Sequence, residues 1–177
     1  MKIGLIGYGK MGQAIEAIAL ERGHEITGIV NRTHSIDEFN WSDVDVAIEF
    51  TQPDLAIPHI QSCLQNHVPI VVGTTAWQQE LPMVEELVKT HNGSLLHASN
   101  FSIGVNLFFE LNDYLAKMMA KFNQYKVSME EIHHTQKLDK PSGTAISLAN
   151  SIINHTDKNN WSIENPNADD VFIDVKR

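Results

Sequence analysis

One cysteine, Cys63, stands in the whole chain, so no intrachain disulfide can form, as expected for a reducing compartment. It lies in Ile60-Gln61-Ser62-Cys63-Leu64, a helix-like stretch that reads as packing rather than a nucleophile. Basic residues are scarce: 13 Lys and Arg stand against 22 Asp and Glu, a net charge of -9. That balance argues against nucleic acid as the main ligand, which wants a basic face, yet leaves room for a small anion in one locally basic pocket. Long apolar runs are missing as well. The run Ile3–Ile6 is too short for a signal peptide and soon meets glycine, and no window nears the roughly 20 apolar residues of a membrane span. A cytoplasmic protein without membrane or nucleic-acid partners is expected. No internal repeat or low-complexity segment appears. The 42% of hydrophobic residues in 177 can still bury a sizeable core, with length for one domain and a little more.

What is present alternates between strand and helix patterns. Lys2–Ile6, Glu25–Val30, Val44–Phe50, Pro69–Val72 and Ser94–Ala98 read as strands, and Met11–Glu21, Leu55–Gln65 and Glu80–His91 as helices. This order predicts an α/β fold with a doubly wound parallel sheet, whose ligands sit beyond the carboxyl ends of the strands. The pattern then changes. Val105–Phe122 reads as a longer helix, Tyr125–Glu131 as a strand, Ala145–Ile153 as a helix and Val171–Val175 as a strand, with a polar loop from Asn154 to Asp170. The expected division is a dinucleotide-binding domain over 1–100 and a partial α+β substrate-binding and oligomerisation domain over 101–177.

Gly7-Tyr8-Gly9-Lys10-Met11-Gly12 fits G-x-G-x-x-G between a strand and a helix. The first glycine permits the tight turn, the second lets backbone approach a pyrophosphate, and the third lets helix and strand pack closely. The helix start adds N–H groups and partial positive charge. An ordinary glycine turn without a ligand is the bland alternative. At the tip of the second strand, Asn31-Arg32 replaces the carboxylate that would repel a 2′-phosphate, and Lys10 adds charge. NADPH acceptance follows, with NADH use left open because Asn31 can bond a hydroxyl; Arg32 as a solvated surface residue is the competing reading.

The segment Glu131-Ile132-His133-His134-Thr135-Gln136-Lys137-Leu138-Asp139-Lys140-Pro141-Ser142-Gly143-Thr144 gathers proton donors, fixed positive charge and a helix start. Histidine is the simplest acid or base near neutral pH. Lys137 can bind a carboxylate or stabilise a developing anion. Ser142 and Thr144 supply hydroxyls, and the helix start supplies N–H groups for an anion. Asp139 can shape the loop through backbone N–H groups. Zinc is disfavoured because H-H-x-x-K lacks a third ligand at helical spacing, so no metal is expected. Structural histidines and a plain helix cap are the other readings.

These residues resemble the 4-hydroxy-tetrahydrodipicolinate (dihydrodipicolinate) reductase family of the diaminopimelate route to lysine. The resemblance rests on Glu131–Ala145, on Asn100–Asn106, on Glu49-Phe50-Thr51, on Gly73-Thr74-Thr75 and on Gly7–Gly12, in the family's order over nearly the whole chain. It implies a Rossmann nucleotide domain plus a substrate domain, and reduction of a cyclic unsaturated dicarboxylic acid to tetrahydrodipicolinate by NADPH or NADH. By that resemblance His133 is the proton donor and Lys137 the second catalytic residue. His134, Ser142, Gly143 and Thr144 cradle the substrate carboxylate. Phe50, Thr51, Gly73 and Thr75 contact the nicotinamide, with Asn100 and Phe101 at the hinge near it. A homotetramer is also implied.

Three departures accompany the resemblance. Thr135 stands where some members carry arginine, and Ala76 where glycine is common. Members usually continue for several tens of residues, so the usual C-terminal portion is expected to be lacking, which would expose a sheet edge and an apolar face. The competing functional reading is a truncated nucleotide-binding module without turnover. Another two-domain dehydrogenase, of a sugar or a semialdehyde, would fit the first hundred residues but not the histidine segment.

Overall fold

The computed structural model describes residues 1–135, 137 and 140–177. They form two compact units, Met1–Ser99 and Asn100–Arg177. Asp139, to which a loop-shaping role was assigned above, lies outside the described residues.

The first unit is built from strands β1 (Lys2–Ile6), β2 (Glu25–Val30), β3 (Val46–Glu49), β4 (Ile70–Val72) and β5 (Leu95–His97), with helices α1 (Lys10–Glu21), α2 (Pro53–Gln65) and α3 (Leu81–Thr90). All strand pairs are parallel, in the order β2-β1-β3-β4-β5. The chain goes out from β1 to one side and returns to the other, so the order reverses between β1 and β3, where doubly wound sheets open their ligand crevice. The strands are short and apolar because helices cover the sheet: Leu5, Ile6, Ala47, Ile70 and Val72 are all fully buried. Cys63 lies in the core beside Ile60 and Leu64, and burial, with a contribution from the Glu49 charge, pushes its thiol up to about 12, beyond use as a nucleophile.

The second unit carries α4 (Ile103–Met119), β6 (Ser128–Ile132), α5 (Gly143–His155), β7 (Asn160–Ser162) and β8 (Asp170–Lys176). Its strands run in the order β6-β8-β7, again all parallel. The β7 strand corrects the expected loop over Asn154–Asp170. Three residues among polar neighbours carry no alternation of their own; they become a strand because Trp161 registers against Val171 and Ser162 against Phe172. The core is small, with Ala116, Ala145, Ala149, Ile152, Val171 and Ile173 buried, and α4 is tied to α5 by Asn112 Nδ2 donating to Leu148 O at 3.1 Å. One side of α4 stays exposed at Ile103, Leu107, Leu111 and Tyr114. Among the described residues no helix is long and apolar enough to cross a membrane.

Candidate active site

Three strand ends of the first unit surround a cavity of about 640 Å³. Gly7 and Gly9 follow β1, Asn31, Arg32 and Thr33 follow β2, and Phe50, Thr51 and Gln52 follow β3. A second hollow of about 350 Å³ takes in Gly9, Lys10, Met11, Phe50, Thr51, Gly73 and Thr75. Gly9, Phe50 and Thr51 line both. Lys10 and Arg32, by contrast, line different hollows.

The local geometry explains the glycines. Gly7 has φ +97°, a conformation that side chains rarely adopt, and an added Cβ would stand 2.0 Å from the Phe50 carbonyl oxygen. Gly12 packs the first turn of α1 against Gly7, and a Cβ there would meet Gly7 O at 2.2 Å. Gly12 is therefore buried support rather than a cavity wall. At Gly9 a Cβ would meet nothing within 4 Å, so backbone is open to a close-lying group there. Gly9 is also the N-cap of α1 and brings no side-chain cap to its first N–H groups. With Arg32 in the cavity wall and no carboxylate among the residues lining it, a dinucleotide pyrophosphate and a 2′-phosphate both fit.

Asn31 is more committed than its position alone implied. Its Oδ1 accepts from Thr33 N at 2.9 Å, Thr33 Oγ1 at 2.8 Å and His34 N at 3.0 Å, the pattern of an Asx turn. That oxygen is held by the loop, so a bond from Asn31 to a ribose hydroxyl would come from Nδ2. Ala76, just past Gly73–Thr75, sits at φ +65°, a strained value that explains why glycine suits the position.

Sequence reasoning missed a buried polar network under this crevice. Glu49 and His59 are 0% and 6% exposed. Glu49 Oε1 accepts from the Thr51 hydroxyl and lies 3.4 Å from His59 Nδ1, while Thr51 N donates to Thr74 Oγ1 at 2.7 Å. The other carboxylate oxygen, Glu49 Oε2, is buried with no partner among the described residues. The network anchors the Phe50–Thr51 wall shared by the two hollows. A signal existed: a glutamate ending the apolar strand Val46–Glu49 is out of place unless it is bonded.

In the second unit β6 delivers His133, whose backbone N donates to Lys176 O at 3.1 Å on β8. His134 is exposed, and its carbonyl accepts from Lys137 N at 3.1 Å. The start of α5 differs from expectation. Ser142 is 4% exposed and its Oγ accepts from Ala145 N at 3.1 Å, so the hydroxyl is spent as the N-cap. Its backbone N is taken too, by Glu131 Oε1 and Oε2 at 3.2 and 3.1 Å. Of the expected cradle, Gly143 is the open position: a Cβ there would meet nothing within 4 Å.

Glu131 is the hub of this region. Besides Ser142 it accepts from Arg177 Nη2 at 3.1 Å, and its Oε2 lies 3.6 Å from His133 Nε2. Burial works to raise its carboxyl, but hydrogen bonds from Ser142 and the Arg177 guanidinium outweigh that and hold it below the ordinary glutamate value. Asn100 and Phe101 belong to the second unit, apart from the other expected cofactor residues. Asn100 Oδ1 accepts from Ser102 N at 2.8 Å at the start of α4, and Phe101 is 44% exposed.

Residues 1–101 match the family model described as dihydrodipicolinate reductase, N-terminus, and residues 104–176 the one described as dihydrodipicolinate reductase, C-terminus. The chain is 43% identical to a 4-hydroxy-tetrahydrodipicolinate reductase of Christiangramia forsetii, over 100% of this chain and 74% of that protein. It is 35% identical to the enzyme of that name from Staphylococcus aureus, over 86% of this chain and 65% of the relative. Among solved structures, a dipicolinate-bound dihydrodipicolinate reductase from Paenisporosarcina superposes with a TM-score of 0.69 at 24% identity, covering 100% of this chain and 78% of that one. An NAD-binding protein from Listeria innocua superposes with a TM-score of 0.56 at 13% identity, over 92% and 57% of the two chains, a likeness of fold.

Proposed function

The chain belongs to the dihydrodipicolinate reductase family, NAD(P)H-dependent oxidoreductases of lysine biosynthesis, and we propose that its own residues reduce 4-hydroxy-tetrahydrodipicolinate to tetrahydrodipicolinate with His133 as the proton donor. The observation that carries this reading is His133 at the mouth of β6, its ring backed by the Glu131 carboxylate and close in sequence to Lys137 and the α5 start.

Bound cofactor, NADPH or NADH, would supply the hydride. The first unit's part is to hold it: Gly7, Gly9 and the start of α1 at the pyrophosphate, Arg32 at a 2′-phosphate, and Phe50, Thr51, Gly73 and Thr75, with Lys10 and Met11, around the nicotinamide end. Arg32 favours NADPH through a bidentate phosphate pair. Reduction of a conjugated imine leaves an electron-rich centre that must gain a proton, and His133 gives it. Lys137 offsets the negative charge of substrate and transition state. His134 and the N–H groups of Gly143 and Thr144 take the carboxylates of a cyclic dicarboxylate; Ser142 supports them from behind. Asn100 and Phe101 are further candidate cofactor residues by the family resemblance. The setting is cytoplasmic, and a homotetramer is the assembly to test by sedimentation.

Steady-state kinetics of His133→Ala and Lys137→Ala test the assignment. Each should lower kcat by about 10²- to 10⁴-fold, the usual worth of a positioned proton donor or charge partner. Full kcat in either variant would remove that residue from the mechanism.

A further inference from the structure

We infer that Glu131 is a positioning residue for His133, holding the imidazole by Nε2 so that Nδ1 is the nitrogen that delivers the proton. The inference rests on the proposed role of His133 as the acid.

The Glu131 carboxylate is fixed on one side before it meets the histidine. Its side chain is 9% exposed, and both oxygens receive the Ser142 N–H while Oε1 also receives Arg177 Nη2. Arg177 is itself 10% exposed. The parallel register of β6 on β8 sets Glu131 opposite Val175 and Ile132 opposite Lys176, which brings Arg177 to the same end. Three separate elements thus clamp one carboxylate: β6 carries it, the α5 cap donates to it, and the residue after β8 pairs with it. A carboxylate bonded from two sides in this way has its orientation set before it meets the ring. The ring must orient to it, and the nitrogen within 3.6 Å of Oε2 is Nε2.

His133 is 34% exposed, and its Nε2 edge faces the Glu131 carboxylate at 3.6 Å. When the imidazolium acts as acid, the Nδ1–H bond breaks and a bond from that proton to the substrate forms. The ring is left neutral with its remaining proton on Nε2, facing the carboxylate. Water then returns a proton to Nδ1 for the next cycle. The carboxylate therefore selects one tautomer of the spent histidine, the part a buried carboxylate commonly plays behind an imidazole. A carboxylate needed only to cap α5 would have no reason to face the ring, because Ser142 already caps that helix through its own hydroxyl.

A double-mutant cycle tests this with Glu131→Gln, His133→Ala and the double variant, reading kcat and the cofactor KM. Glutamine keeps the size of the side chain and an oxygen for the Ser142 N–H. Glu131→Gln should lower kcat about tenfold or more, a part of the worth of a positioned acid, with cofactor KM unchanged. Added to His133→Ala it should cost nothing further. Equal losses in both backgrounds, or full kcat in Glu131→Gln, would overturn the inference while leaving His133 as acid. Full kcat in His133→Ala would instead overturn the reading on which it rests. Should Glu131→Gln not fold, or turnover be too slow to follow, long-range ¹H–¹⁵N correlation spectra of the unaltered chain decide. Neutral His133 should be the Nε2–H tautomer, and an Nδ1–H tautomer would overturn the inference whatever the activity.

Discussion

In the first unit the candidate cofactor residues are held by main chain and crowding. Gly7 lies against the Phe50 carbonyl, the Phe50 ring fills the space where Gly73 would carry a Cβ, and Gly12 closes on Gly7. In the second unit the candidate proton donor His133 faces one carboxylate, Glu131, itself held by hydrogen bonds from Ser142 and Arg177, over a small core and beside a helix with one apolar side exposed. In the first arrangement the packing at Gly7, Gly12 and Gly73 tolerates no added Cβ, while the Glu49–His59 network backs the Phe50–Thr51 wall. The second accepts changes of shape and is sensitive to any change of charge. This difference fits the two tasks, since a dinucleotide is gripped through backbone N–H groups, whereas a proton donor must have its ring orientation and charge controlled.

The largest effect should come from breaking the crowding. In Gly7→Ala the Cβ would meet Phe50 O and require a positive φ, so a loss of about 3 kcal/mol in unfolding free energy is expected, together with loss of NADPH binding. Urea unfolding and cofactor titration measure both; unaltered stability would mean that the loop relaxes freely. Ser142→Ala should cost less, about 1 kcal/mol, because the cap bond to Ala145 N and the hydroxyl contact with Glu131 are lost while the Glu131 bond to Ser142 N survives. Hydrogen exchange should show fraying at the start of α5 with NADPH affinity intact, and weakened cofactor binding would speak against so local a role.

The smallest effect is one of pH and belongs to the second unit. The native Glu131 carboxyl lies below the ordinary value of 4.5, so its contribution is fully present above that value. It falls as the unfolded-state carboxylate begins to protonate and is gone once pH passes below the lower native value. Acid unfolding followed at β6 and α5 should show this decline below about pH 4.5, and Glu131→Gln should flatten it. An identical acid profile in the variant would mean that Glu131 does not contribute.

Much of this was legible in the chain. Alternating apolar segments determined a parallel α/β sheet with its loops at the strand ends, and G-x-G-x-x-G determined where backbone would be open to phosphate, because both are local patterns with local causes. The histidine segment offered its candidate acid and cations in the same way. Tertiary structure alone decided the rest. Ser142 turned inward, β7 formed only against β8, and Asn31 spent its oxygen on its own loop. Glu49 found His59 ten residues away, and Glu131 found Arg177 across 46 residues through strand register. Spacing along a sequence records which groups share a turn or a strand. Which buried carboxylate faces which imidazole depends on how separate elements pair, and that is settled only when they pack.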